Sequence, residues 1–239
     1  MDSHRRIVVP LDVSDVSAAE KLVTQLQPVV GMFKVGKQLF TAAGPAAVEM
    51  VRGHGAEVFL DLKWHDIPNT VAAACSAASE LGVRMVNVHA SGGRRMLSAA
   101  RDALDRRPAD ERSQLLAVTV LTSLAAEDLA EVGISAPPAT QVARLAALSL
   151  AAGVDGMVCS PHEVATLRAT YGPAPTLMVP GVRPEWFSAN DQKRVASPAM
   201  ALAAGADYLV IGRPITGSDD PVAAAHEVAA EMELAVRQV

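Results

Sequence analysis

The chain has only two cysteines in 239 residues, Cys75 and Cys159, and both stand in apolar surroundings. A disulfide framework and a cysteine-based metal site are therefore excluded, and a reducing, cytoplasmic setting is expected. An excess of positive charge is also missing. With 21 Lys and Arg against 26 Asp and Glu, the formal net charge is -5. No broad cationic field is available to attract nucleic acid or an anionic membrane, so neither is an expected partner. The arginines between Arg94 and Arg112 read as the solvated face of a helix and its following loop rather than as a nucleic-acid patch. Any phosphate must be met by a few local groups. The apolar run that follows Arg6 ends at Asp12, too short for a signal peptide or a membrane span. Nothing resembling a linker or a low-complexity stretch divides the sequence, and one domain over residues 1–239 is expected.

Half of the residues are hydrophobic, enough for a sizeable core. Short β-rich runs recur at Ile7 to Asp12, Met32 to Gly36, Glu57 to Lys63, Met85 to Ala90, Leu115 to Ser123, Gly156 to Ser160, Thr176 to Gly181 and Tyr208 to Arg213. Alanine-rich segments with helical spacing lie between them, at 18–26, 45–52, 71–81, 94–106, 140–152 and 197–204. Gly55, Gly82, Gly153 and Gly205 each stand between a helix and the next strand, where a helix stops on glycine. Eight continuously apolar strands, each followed by a helix, predict an α/β fold of the (β/α)8 TIM barrel type as a single domain. A doubly wound open sheet is the alternative.

Active sites of such barrels lie at the C-terminal ends of the strands. Those ends carry Asp12, Lys34, Asp61 with Lys63, His89, Thr122 with Ser123, Ser160, Gly181 with Arg183, and Gly212 with Arg213, whereas the strand bodies are almost free of polar groups. The densest group closes the apolar run 57–60: Asp61, Lys63 and then Asp66, with Ile67-Pro68-Asn69 reading as a turn and Thr70 as the N-cap of the next helix. Alternation along a strand would put Asp61 and Lys63 on one side. Two ammonium groups, Lys34 and Lys63, and two carboxylates, Asp61 and Asp66, without a nucleophile arrangement suggest electrostatic catalysis. A carboxylate held against a substrate anion disfavours the ground state more than a transition state from which that charge departs, and a neighbouring lysine can protonate the carbon left behind. At the seventh and eighth strand ends, glycine lets backbone N–H groups approach an anion, while Arg183 and Arg213 offer planar forks for phosphate. The bland alternatives are a structural ion pair for Asp61 and Lys63 and an ordinary surface arginine at 213. His65 and His89 read as packing or hydrogen-bonding residues, and the cysteines as small core residues.

The chain resembles the orotidine 5'-phosphate decarboxylase family in its short bacterial form. The resemblance is carried by Leu11-Asp12, Lys34-Val35-Gly36-Lys37, the run Asp61 to Thr70, Val86 to Gly93, Ala117 to Ser123, Gly181-Val182-Arg183-Pro184, Asp191 to Val195 and Ile211-Gly212-Arg213-Pro214. It implies cofactor-free and metal-free loss of CO2 from orotidine 5'-phosphate to give UMP, the last step of de novo pyrimidine synthesis, in a homodimer with sites at the subunit interface. On matching positions, it implies that Lys63 donates a proton to C6 of the pyrimidine and that Asp61 sits against the departing carboxylate. Lys34 and Asp12 would hold ribose hydroxyls and the charge network, while Asp66, Ile67 and Thr70 reach the partner's site. Thr122 and Ser123 would contact the pyrimidine, and Pro180, Arg183, Gln192, Gly212 and Arg213 would bind near or at the phosphate. A carbanion at C6 cannot delocalise into the ring, so stabilisation near or above the top of the usual range of roughly 8–23 kcal/mol is required. Phosphate and ribose binding must contribute to it by holding the charged array in place. The sequence departs from the family pattern at 184–190, where Trp186 and Phe187 replace smaller, glycine-containing residues, and at Trp64, where phenylalanine is commoner.

Two other functions fit parts of the pattern. A sugar-phosphate decarboxylase or aldolase of the same superfamily shares Asp-x-Lys-x-x-Asp but uses Mg2+; the segment 67–70 and the pair Thr122-Ser123 argue against it. A non-catalytic nucleotide-binding barrel is the other, opposed by retention of all four charges.

Overall fold

The structure, a computed structural model, describes residues 2–187 and 196–236. In chain order the strands are β1 (Ile7–Pro10), β2 (Met32–Gly36), β3 (Glu57–Trp64), β4 (Met85–His89), β5 (Gln114–Val118), β6 (Gly156–Val158), β7 (Thr176–Pro180) and β8 (Tyr208–Val210), and they close as a parallel barrel in that order. The helices are α1 (Val16–Leu26), α2 (Lys37–Ala43), α3 (Ala46–Gly53), α4 (Pro68–Glu80), α5 (Gly93–Leu104), α6 (Ala126–Glu131), α7 (Pro138–Ala151), α8 (Val164–Tyr171), α9 (Pro198–Ala203), α10 (Arg213–Thr216) and α11 (Pro221–Val236). This is the (β/α)8 fold that the alternation of elements predicts, and it excludes the open sheet. Gly55, Gly82, Gly153 and Gly205 have φ of 77°, 70°, 81° and 105°, the left-handed backbone that ends a helix at little cost only on glycine.

The backbone forms two compact units, Met1–Leu62 with Gly181–Val239, and Lys63–Pro180. In the first, β1, β2, the start of β3, and β8 bury Val8, Phe33, Val35, Phe59, Leu60 and Leu209 almost completely. Its register pairs Pro10 with Lys34 and Lys34 with Phe59. In the second, β4 to β7 run in register from His89 beside Val118 to Val158 beside Met178. Their buried residues are apolar apart from a few, among them Asn87. Cys75 and Cys159 are buried core residues, and burial pushes the Cys75 thiol up to about 12 against the weaker opposing influence of Arg101.

Several local expectations need correction. The strands β1, β5, β6 and β8 stop at Pro10, Val118, Val158 and Val210, short of Asp12, Ser123, Ser160 and Arg213. Arg213 opens α10 instead, because Pro214 lacks the N–H that a parallel ladder would use and suits the first helical turn. By the same rule α4 starts at Pro68 with Ile67 at the cap, so Thr70 lies in its first turn and is not the N-cap. α3 is the helix expected at 45–52, and α2 is a further helix set apart from it by Gly44, at φ 61°, and Pro45. Arg101 does not belong to a solvated face: it is buried in α5 and ion-paired with Asp155 and Asp105. Asp155 also accepts from the Leu115 N–H at 2.7 Å, tying the start of β5 to the loop before β6.

Candidate active site

Register explains the first group. Lys34 stands beside Pro10 on β1 and beside Phe59 on β3. Side chains two residues further along each neighbour share its face, and those residues are Asp12 and Asp61. The Lys34 Nζ lies 3.3 Å from Asp12 Oδ1 and 3.3 Å from Asp61 Oδ2. The chain beyond β1 is held for this by the Leu11 N–H, which donates to the Lys34 carbonyl at 2.9 Å. The Lys34 and Asp61 side chains are 12% and 10% exposed, against 62% for Asp12, so the pair with Asp61 is the more poorly screened. Gly36, at the end of β2, contributes by having no side chain: a Cβ there would come within 2.9 Å of Lys34 Nζ.

The second group follows from Lys63 onward. Lys63 has φ of 51°, which no other non-glycine residue among the described residues shares in sign. For a side chain with a Cβ this left-handed conformation costs roughly 1–2 kcal/mol, and it persists only where surrounding contacts enforce it. The Lys63 N–H donates to Asn87 Oδ1 at 2.8 Å. Pleat alternation does not carry the direction of the Asp61 side chain through to a residue in this conformation. Asp66 accepts from the Ile67 N–H at 2.6 Å, which fixes the entry into α4. Asp66, Ile67 and Thr70 are exposed, Ile67 at 65% despite being apolar. Thr122 and Ser123 are exposed in the turn that follows β5.

At the phosphate positions, Pro180 is half-buried at the end of β7, and the Arg183 N–H donates to the Ala196 carbonyl at 3.2 Å. Gly212 passes so near Pro10 that a Cβ would stand 3.0 Å from its Cγ, and Arg213 is exposed. Trp186 and Phe187 form a short 3-10 turn with Glu185, their rings edge to face at 6.1 Å and more than one-third exposed. Gln192 lies outside the described residues. The rings of His65 and His89 approach to 5.7 Å. Among the described residues no group of three or more His, Cys, Asp or Glu is arranged to hold a metal ion. No helix among them is long and apolar enough to cross a membrane.

A sequence model of the "Orotidine 5'-phosphate decarboxylase / HUMPS family" matches residues 5–228. The chain belongs to that family. Within it, the chain is 54% identical over 230 residues to the orotidine 5'-phosphate decarboxylase of Halorhodospira halophila, covering 96% of this chain and 97% of that protein. It is 54% identical to the protein of the same name from Moorella thermoacetica, with 98% and 94% covered. The crystal structure of orotidine 5'-phosphate decarboxylase from Lactobacillus acidophilus superposes with a TM-score of 0.84 at 37% identity, covering 95% of this chain and 99% of that one. The family description carries two names, so relatives covering nearly the whole chain distinguish its members more finely than the family does. Charge alone marks Lys34, Asp61 and Lys63 in the sequence, whereas Gly36 and Asn87, which the structure sets against two of them, carry no charge. The only available signals were a glycine beside the Lys34 position and one amide in the otherwise apolar run 85–88.

Proposed function

We infer that this family member is an orotidine 5'-phosphate decarboxylase, which releases CO2 from orotidine 5'-phosphate to form UMP in the last step of UMP synthesis. The observation that carries this reading is the Lys34 ammonium held 3.3 Å from both Asp12 and Asp61 at the strand ends. Near-full-length relatives of that name support it.

The charge array accounts for the chemistry. Asp61 is nearly buried and bonded to Lys34, so its carboxylate is fixed where it can oppose the substrate carboxylate. As the C6–CO2 bond breaks, its electron pair and the negative charge stay on C6 and neutral CO2 departs, so the repulsion between Asp61 and the substrate carboxylate is relieved. Lys63 then transfers an ammonium proton to C6, giving UMP, and the resulting amine recovers a proton from solvent. Lys34 balances Asp61 throughout, and together with Asp12 it binds ribose hydroxyls. Thr122 and Ser123 contact the pyrimidine. Pro180, Arg183, Gln192, Gly212 and Arg213 serve the phosphate, with the two guanidinium groups as bidentate donors.

The reading includes a single-domain, cytoplasmic homodimer in which Asp66, Ile67 and Thr70 complete the neighbouring site. The exposure of Ile67 on the turn before α4 fits a residue that meets a second chain. No metal or cofactor takes part. Loss of orotidine 5'-phosphate, followed by ultraviolet absorbance with purified protein in excess EDTA, tests the activity. Continued turnover is expected, and abolition by EDTA would favour the Mg2+-dependent sugar-phosphate enzyme instead. Lys63→Ala is expected to bind UMP and not decarboxylate; normal turnover by that variant would remove Lys63 from its role.

A further inference from the structure

We propose that Asn87 is a positioning residue for the proton donor: its buried side-chain carbonyl holds the Lys63 backbone in the left-handed conformation that aims the ammonium group. This rests on the role proposed above for Lys63.

Three features meet here. Lys63 alone among the described non-glycine residues has positive φ, 51°, and it adopts this inside β3 rather than in a turn. A residue in that conformation re-aims the side chain away from the strand's regular alternation, so its direction is set locally and not by the sheet. The Lys63 N–H is met by Asn87 Oδ1 at 2.8 Å, within good hydrogen-bonding distance. Finally, Asn87 is fully buried on β4 between Val86 and Val88, which are also fully buried. A side-chain amide in such surroundings is unfavourable unless bonded, and an apolar residue would fill the strand more readily. The amide is best explained by what it holds.

The consequence is functional rather than general. Releasing the Lys63 N–H lets its backbone relax toward an extended conformation, and this displaces the ammonium from C6. Ribose and phosphate contacts, made by other residues, are untouched. Misplacement of a reacting group by about 1 Å costs on the order of 10²-fold in rate, and this loss belongs to kcat.

Kinetics with orotidine 5'-phosphate, UMP binding by calorimetry and thermal unfolding would be measured for Asn87→Ala and Asn87→Asp. For Asn87→Ala, kcat should fall on the order of 10²-fold while KM and UMP affinity change by less than about threefold. Asn87→Asp keeps an acceptor oxygen at the same reach, and it should recover at least about tenfold of that loss. A kcat for folded Asn87→Ala within about threefold of the wild type overturns the proposal, as does a fall in kcat matched by an equal fall in UMP affinity. If Asn87→Ala does not unfold cooperatively, Asn87→Asp decides alone. A kcat within about tenfold of the wild type then supports the proposal, and a larger loss with UMP binding intact overturns it. Lys63→Ala, assayed in parallel, separates the two readings. Normal turnover by Lys63→Ala defeats the role of Lys63 itself, whereas an inactive Lys63→Ala beside a fully active Asn87→Ala defeats only the positioning role.

Discussion

At Gly36 the missing side chain leaves the Lys34 ammonium where it stands. Its φ of -92° and ψ of -180° are open to any residue, so the requirement is one of space and not of backbone freedom. An added Cβ would lie 2.9 Å from Lys34 Nζ and 3.5 Å from Asp12 Oδ1. The nearer atom ends a flexible side chain and can yield, so Gly36→Ala should fold with a thermal midpoint close to the wild type. Its kcat/KM should nevertheless fall by roughly tenfold, because the ammonium gives way from between its two carboxylates. Wild-type kinetics in the folded variant would show that the exact seat of Lys34 is unimportant. Such residues are hard to read in sequence. Lys34, Asp61 and Lys63 are legible because charges interrupt apolar strands, whereas Gly36 resembles a helix start and Asn87 a single polar interruption. Their effect lies in what folding brings against them, the Lys34 ammonium at Gly36 and the Lys63 N–H at Asn87.

The elements were legible to the extent that hydrophobic period and punctuation agree. β2 runs from Met32 to Gly36 as its composition predicts, and the four glycines before later strands adopt the positive φ expected of helix ends. The strands that end early, β1, β5, β6 and β8, do so where the chain leaves the ladder. Hydrogen bonding along the ladder ends those strands, not hydrophobicity. α6 and α8 lie outside the helical segments expected from the sequence; both are short, and short helices owe their stability to tertiary packing, whereas α11, also outside those segments, runs for 16 residues. The turn before α8 makes an element-scale prediction about pH. Burial pushes the Glu163 carboxyl up from its ordinary value, opposed by the Ser160 N–H that it accepts at 2.7 Å. The folded protein thus holds this proton more tightly than the unfolded chain does. Stability is lost as pH rises from the ordinary carboxylate value through the raised one, and the penalty is complete above it. Glu163→Gln keeps the acceptor oxygen without the charge. Its thermal midpoint should exceed that of the wild type at about pH 8, with the difference closing toward about pH 4. A gap that widens in acid would contradict this.

For the whole molecule, the barrel is readable because its strands and helices alternate regularly, but association is not, since a site shared between subunits leaves no local period. Mixing Lys63→Ala and Asp66→Ala subunits addresses it. If Asp66 serves the neighbouring site, random exchange makes half the dimers mixed, and one of the two sites in each mixed dimer is intact. About a quarter of wild-type activity should return. No recovery despite exchange verified by native mass spectrometry would assign Asp66 to its own subunit. The left-handed backbone at Lys63 has a further bearing on how this molecule can be improved or can drift. Glycine accepts that conformation without strain, so a population selected for heat tolerance alone would be drawn toward glycine at this position and lose the proton donor. Persistence of lysine there requires that the catalyst itself, and not merely the folded barrel, be under selection.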